Sequence, residues 1–533
     1  MPSIATLLIR AQKIALLSVL AFLLQTVSAW SHASLNATVP ADGSVMEAWP
    51  ESFTLTFSEP VAPLAFKLVM PDGSSQALDR VKADGNVVSI EAPGNGARGT
   101  HVLSWRVVSE DGHPIGGSIV FSIGEAGVRP PSTAAEVNWT VRGGLWLGKV
   151  ALYIGLFIGV GGAVARTLLM PGTDAARGIV LTALAIGSVG AISSAGFQGL
   201  DALGVEVEQI VDPAIWSAGL STTYGRTVGF SLVALLLGSI TFVSSMRTSR
   251  IASLLALAGV GAALAASGHA SAADPQWLMR PAVFLHAVAV VLWTGALMPL
   301  GALLARGDAD ALPALSRFSR IIPWIILVLI LSGSTLAIVQ VGRAGALLDT
   351  AYGQVFTIKL ALLVGLFVLA GINRWTLTGR SLQSDTAASR RLARSIVTET
   401  VLALLIFGAV AAWRFTPPPR VLDAAAAIPA STHIHDEKAM ATVWVTPGRA
   451  GAVTISASLQ APDASRLQAK EVSLVFGNQA AGIEPFKRAL ATDGTKWSTE
   501  ATIPLAGLWQ VRLDILISDF ELVRLEGELD IRP

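Results

Sequence analysis

Eight apolar stretches between Gly143 and Trp413 constrain this chain more than any other feature, because each is long enough for a bilayer crossing of about 20 residues. They run over 143–168, 178–199, 222–245, 251–269, 280–304, 321–341, 354–373 and 395–413. A polytopic α-helical membrane domain follows, and a composition of 52% hydrophobic against 14% charged residues agrees with it. The arginines fall in alternate connections: Arg166 and Arg177, Arg247 and Arg250, Arg306 with Arg317 and Arg320, then Arg374 to Arg394. That bias makes those connections cytoplasmic. The other side carries the acidic loop Asp201 to Asp212, so both termini of the mature protein are expected outside a bacterial inner membrane. A formal net charge of +1 gives no reason to expect nucleic acid. The absence of a phosphate-binding Gly-x-x-x-x-Gly-Lys-Ser/Thr motif and of any sign of an aspartyl-phosphate ATPase domain argues against ATP hydrolysis.

The flanks read differently. Arg10 and Lys13, an apolar run from Ile14 to Leu24 and small residues up to Ser31 form a secretory signal over 1–31. Cleavage after Ser31 makes His32 the first mature residue, and cleavage after Ala29 leaves Trp30 and Ser31 ahead of it. Residues 32–126 alternate short β-rich runs with Asp-Gly and Pro turns, the pattern of an all-β sandwich. A linker is expected over 127–142, the membrane domain over 143–413, and a tether over 414–438 that contains Pro417-Pro-Pro. A second all-β sandwich is expected over 439–533. Thr222-Thr-Tyr-Gly225 and Thr350-Ala-Tyr-Gly353 open the third and seventh spans with two of the three tyrosines in the chain. The reading is either a four-span repeat or the general preference for Tyr and Gly at a membrane interface.

Cysteine is absent, which removes disulfides and thiolate ligands together and leaves metal chemistry largely to imidazole. On the topology above, none of the seven histidines falls in a cytoplasmic loop. The strongest constellation is Asp111-Gly-His113-Pro with His32. In an extended segment residues two apart share a face, so Asp111 and His113 can converge on one ion. The α-amine and imidazole of a terminal His32 complete an N,N,N,O set that suits Cu(II). The alternative is a simple turn with an exposed histidine.

His32-Ala-Ser-Leu, Pro40-Ala-Asp-Gly43, Phe57-Ser-Glu-Pro-Val61 and Ser109-Glu-Asp-Gly-His-Pro-Ile-Gly-Gly117 together resemble the CopC family of periplasmic copper-binding proteins. The resemblance implies a cupredoxin-like sandwich with Cu(II) held by His32, Asp111 and His113, and Glu59 nearby without being a ligand. Only Met46 and Met70 fall in this domain, which sets it apart from relatives with a methionine-rich Cu(I) site. His286 with Trp293-Thr-Gly295, Arg317-Phe-Ser-Arg320, Ser332-Gly333, Tyr352-Gly353 with Lys359, and Asn373-Arg374 resemble the CopD family of inner-membrane copper proteins. The last domain is similar to YtkA-like modules attached to such proteins.

An ionisable residue inside a span is costly unless it faces a cavity or a partner, which favours a role for His286 in a copper path. His269, His433 and His435 are further candidates for a relay. His269 is equally an interfacial histidine, and the two-apart pair His433-Ile-His435 is equally a chance pattern. Lys359 and Arg226 are expected to snorkel to the interface. Glu399 is expected to pair with a neighbouring arginine rather than serve as an exit ligand or proton carrier. Trp293 and Gly295 are expected to pack helices. The leading reading is a copper-handling membrane protein, not an enzyme, that captures Cu(II) outside and imports copper, with Cu(I) possible in transit and a periplasmic or cytoplasmic chaperone as a possible partner. The alternatives are a copper-dependent oxidase with a histidine brace, and a copper sensor or chaperone without transport.

Overall fold

The computed structural model describes residues 35–531, apart from 41–43, 58, 95, 110–113, 125–137, 172, 428, 437, 462–464, 479–480, 493, 495 and 519, and apart from the side chains of 36 and 424–427. The chain divides into two compact units between Pro419 and Arg420.

The first unit opens with a two-sheet β domain. One sheet has the order β1-β3-β7-β6 and the other β2-β9-β8-β4-β5, with β1 Leu35–Val39, β2 Ser44–Met46, β3 Ser52–Phe57, β4 Val61–Val69, β5 Ser75–Ala77, β6 Val81–Asp84, β7 Val87–Glu91, β8 Gly99–Ser109 and β9 Pro114–Ile123. Strict alternation builds its core: Phe53, Leu55 and Phe57 of β3 and Leu103, Trp105 and Val107 of β8 all point inward. Burying side chains of this size stabilises the domain by roughly 1.5–3 kcal/mol each.

Eight helices long and apolar enough to cross a membrane follow: Trp139–Leu168, Arg177–Leu203, Thr223–Ile240, Met246–Ala265, Gln276–Arg306, Ala311–Val341, Ala351–Leu382 and the span that begins at Thr386. The last continues as helix to Ala412. The first and fifth spans cross where Gly161 meets Gly295. A Cβ on Gly295 would lie 2.2 Å from the Gly161 backbone, so only small residues permit this approach. Gly295 therefore does pack helices. The sixth and seventh spans keep most of their apolar surface outward, with Trp324, Leu331, Val364 and Val368 exposed, the pattern of a lipid-facing wall.

Several helices run past their apolar cores. The sixth begins at Ala311 rather than 321, the seventh reaches Leu382 and the eighth begins at Thr386. Hydropathy marks the hydrocarbon-length part, whereas a helix ends where its terminal N–H groups find a cap. Asp385 provides one, accepting from Ala387 N and Ala388 N while pairing with Arg380 at 2.8 Å. Likewise the expected linker 127–142 gives way to helix at Trp139, because the Asn138 side chain accepts from Val141 N. The β domain docks on this bundle: Arg106 Nη1 donates to the carbonyls of Asp201 and Ala202, at 3.3 and 3.1 Å, near the end of the second span. That end of the bundle is called the β-domain end below, and the other the arginine-rich end.

The second unit holds strands β10 Ala430–His435, β11 Met440–Thr446, β12 Gly451–Gln460, β13 Glu471–Asn478, β14 Ile483–Thr492, β15 Trp497–Ile503, β16 Gly507–Ser518 and β17 Glu521–Ile531. Their order is β10-β11-β12-β15-β14-β13-β16-β17 around one core that contains Trp509, Phe476 and Ile455. Among the described residues, only Ala491 with Ser498 and Thr492 with Trp497 pair β14 to β15. Two four-stranded halves thus fold over a shared core. The expected tether 414–438 is a correction: it contains the helix Pro419–Ala427 and strand β10. Ile434 is buried and β10 pairs with β11 along its length, so alternation rather than composition decides this segment.

Candidate metal sites

His32, Asp111 and His113 lie outside the described residues. The residues that flank them are paired. Leu35 lies opposite Phe57 in the β1–β3 register, Val61 opposite Ser109 in β4–β8, and Val108 opposite Pro114 in β8–β9. Glu59, two residues before Val61, is buried with 1% of its surface exposed. Ser109 is three residues from Arg106, about 10 Å along the strand from the docking contact. His101 is a core residue: it is fully buried, stacks on Phe121 at 5.4 Å and shares a hydrogen bond with the Gly99 carbonyl through Nδ1. Burial holds its pKa below the ordinary imidazole value, against the raising effect of Gly99.

Two of the expected relay histidines come together. His269, in the loop after the fourth span, and His286, on the fifth, line one cavity of about 300 Å3 at the β-domain end of the bundle. The His269 carbonyl accepts from Gln340 Nε2 at 2.8 Å, which ties this loop to the sixth span. His286 Nδ1 lies 3.2 Å from Ser332 Oγ, also on the sixth span. The neighbouring-helix hydrogen bond and the cavity-lining position therefore occur in the same histidine. Among the described residues no group of three or more His, Asp or Glu side chains is placed to hold a metal ion. Two imidazoles on a cavity wall fall short of the ligand set of a closed coordination site.

The same walls carry residues that the sequence reading passed over or placed elsewhere. Lys149 of the first span lies 4.7 Å from the Tyr224 ring centroid, and Lys359 of the seventh lies 4.8 Å from that of Trp413. Lys359 faces the cavity and reaches the Trp413 ring at the end of the eighth span, while Arg226 is exposed. Arg414 pairs with Asp201 at 2.8 Å. A lysine inside an apolar stretch was the available signal for Lys149.

Two further cavities continue across the bundle. The second, about 350 Å3, shares His286 and Lys359 with the first. The third, about 490 Å3, shares Trp293 and Phe367 with the second. Those two rings stack at 5.6 Å and 12°. Trp293 is therefore part of a wall between cavities as well as a packing residue. Glu399 lines the third cavity and is buried, but its hydrogen-bond partner is not the arginine expected: Asn373 Nδ2 donates to Glu399 Oε1 at 2.6 Å. Arg374 is turned to Ser319, donating to its carbonyl and hydroxyl. The seventh span widens into π-type turns over Asn373–Thr378, which puts successive residues in register with different neighbours than an α-helix would.

The suspected repeat has a structural counterpart. Tyr224 and Tyr352 line the same cavity, and each follows a short helix, Pro213–Ser221 or Ala346–Asp349. A Cβ on Gly225 would meet the Leu220 carbonyl at 2.0 Å, and one on Gly353 the Ala346 carbonyl at 1.9 Å. Both glycines allow the span to start tight against its preceding helix.

His433 and His435 sit on β10 with ring centroids 5.9 Å apart. His433 Nδ1 lies 3.0 Å from Thr442 Oγ1. Partial burial and then the neighbouring His435 hold His433 below the ordinary imidazole value, which favours its neutral, ligating form. No third ligand joins them among the described residues.

Residues 35–124 match the CopC domain, and residues 312–413 match the family described as Copper resistance protein D. The chain is similar to the copper transport protein CutJ of Bacillus subtilis (strain 168), 25% identical over 411 residues that cover 71% of this chain and 73% of that protein. It is also similar to Copper resistance protein C of Xanthomonas campestris pv. juglandis, 32% identical over 110 residues that cover 19% of this chain and 86% of that protein. Among solved structures, PcoC, a methionine-rich copper resistance protein from Escherichia coli, matches at 29% identity and a TM-score of 0.16, over 17% of this chain and 99% of that one.

Proposed function

This chain belongs to the family of copper resistance and transport proteins that combine a CopC domain with a CopD domain, and from that premise we propose that it imports copper across the inner membrane. The N-terminal β domain captures Cu(II) outside with the α-amine and imidazole of His32, the Asp111 carboxylate and the His113 imidazole. Copper then passes to His269 and His286, moves by the Trp293–Phe367 wall and leaves past Glu399. The arginine-rich end is cytoplasmic by the positive-inside rule, which puts both β domains outside. His433 and His435 then serve as a weak external capture pair, and a cytoplasmic copper chaperone is the fitting acceptor. We take the last domain as a YtkA-like module with that auxiliary role. The chain has no cysteine, and nitrogen and oxygen donors suit Cu(II) along the path.

The observation that carries this reading is the cavity shared by His269 and His286, at the end of the bundle where the β domain docks. The pairing of Leu35 with Phe57 and of Val61 with Ser109 supports the capture site, because it gathers the chain segments that lead to His32, Glu59 and Asp111.

Two measurements test the proposal. Mass spectrometry of the purified protein should find His32 at the mature N-terminus, and one alanine added ahead of it should weaken Cu(II) binding by at least a hundredfold. Equal affinity with the extension would sink the terminal-histidine site. Uptake of radioactive copper by cells carrying His286→Ala should fall at least tenfold, and uptake equal to wild type would remove His286 from the path.

A further inference from the structure

The cavity beside His286 carries more positive charge than a passage for a bare cation accounts for. Lys149 and Lys359 both open onto it, from different spans. Lys149 and Lys359 branch from their helices about 15 Å and 12 Å from the helix starts at 1.5 Å per residue, so their backbones lie two to three turns inside the spans. Their contacts are aromatic faces, Tyr224 for one and Trp413 with Phe356 for the other. An aromatic face attracts an ammonium but accepts none of its three N–H groups as a carboxylate would. Among the described residues neither lysine has a hydrogen bond or an ion pair, and the carboxylate that is close by, Asp201, is engaged by Arg414. An intramembrane ammonium without an acceptor is costly, and two around one cavity leave a site that lacks its negative partner.

We propose that this cavity binds a small carboxylate-bearing anion between Lys149 and Lys359, with the aromatic rings enclosing its carbon skeleton. A cavity of about 300 Å3 has room for a molecule of that class. The anion arrives either free or as the carboxylate chelate of copper. In the second case His286 meets copper already wrapped in negative charge, which removes the repulsion a bare ion would feel. The chelate source rests on the copper path proposed above, whereas the anion site itself does not.

The test uses the full-length protein in nanodiscs, with citrate as the probe. Calorimetric titration with citrate in the absence of copper should give binding to wild type that weakens at least tenfold in Lys149→Gln/Lys359→Gln and is largely kept in Lys149→Arg/Lys359→Arg. The single variants Lys149→Gln and Lys359→Gln, each with an intermediate loss, keep the test valid if the double variant does not fold, and a thermal melt reports which have folded. No binding to wild type at 10 mM citrate, or equal binding to the folded Gln variants, overturns the site. Copper uptake into proteoliposomes from Cu(II)–citrate and from the neutral Cu(II)–bis-histidine complex, at equal free copper, separates the sources. Faster uptake from citrate that depends on the lysines supports the chelate, and equal uptake with citrate binding intact supports the free anion. Citrate binding that survives in His286→Ala, together with unchanged copper uptake by that variant, would refute the copper path while leaving the anion site in place.

Discussion

At the β-domain end of the bundle the cavity that holds His286 is walled by Lys149 and Lys359, whereas the cavity at the arginine-rich end presents the carboxylate of Glu399, held by Asn373, with Arg374 drawn aside to Ser319. The Trp293–Phe367 stack belongs to the wall between the second cavity and that last one. A unit charge about 6 Å from another, at an effective dielectric of about 20, gains or loses roughly 3 kcal/mol. A cation is therefore opposed near the two lysines and welcomed near Glu399. The contrast teaches that one bundle presents opposite charge at its two ends, so that on the proposed copper path the first end would need a complementary ligand and the second would attract the ion directly.

Breaking the crossing that packs the fifth span, whose residues line both cavities, should have the largest effect. Gly295→Leu drives a side chain into the Gly161 backbone, so folded protein should be lost almost completely. Size-exclusion recovery and a thermal melt measure this, and a wild-type profile would mean that the first and fifth spans can part. Next comes the carboxylate. Glu399→Leu should lower copper flux into proteoliposomes at least tenfold and Glu399→Gln less, with copper binding by the N-terminal β domain unchanged. Wild-type flux in Glu399→Leu would break the comparison, because the second end would then attract nothing.

Smaller effects sharpen it. Trp293→Ala should join the second and third cavities and raise passive copper leak a few-fold, read as efflux from preloaded vesicles. Arg106→Ala removes two hydrogen bonds from a charged donor at the docking contact, each worth roughly 1.5–3 kcal/mol before solvent replaces it. Uptake at low copper should fall a few-fold and uptake at saturating copper stay the same. An equal fall at both concentrations would locate Arg106 in the bundle's own stability. The smallest effect is a pH slope. His101 titrates below its ordinary value in the folded β domain, so on acidification through about 6.5 the unfolded chain takes up the proton first. The stability present above that pH is lost as pH falls toward the folded value. Denaturation of wild type and His101→Leu between pH 7.5 and 5.5 should show a slope in the former that flattens in the latter, and parallel slopes would assign the effect to another group.

Much of this architecture was legible from local pattern. Apolar length located all eight spans, and alternation located β3 and β8, because both depend on properties of contiguous residues. Helix ends were less legible, since Asn138 and Asp385 act through caps that hydropathy does not register. Strand β10 was hidden beneath an Ala- and Pro-rich approach, although the alternation around Ile434 was there to be read. The histidines were found by residue type alone, and that His269 and His286 line one cavity was not legible from it.

What the sequence by itself determined is the set of elements: eight apolar helices between two β domains, a chain without cysteine, and histidine as its main nitrogen donor. What only the tertiary structure decided is which ionisable groups share a space. Lys149 and Lys359 come from the first and seventh spans, and Glu399 meets Asn373 instead of an arginine because the seventh span widens there. Hydropathy and spacing act along one helix, whereas the partner of a buried charge is set by how helices cross, and that depends on close contacts such as Gly161 with Gly295 that no local pattern records.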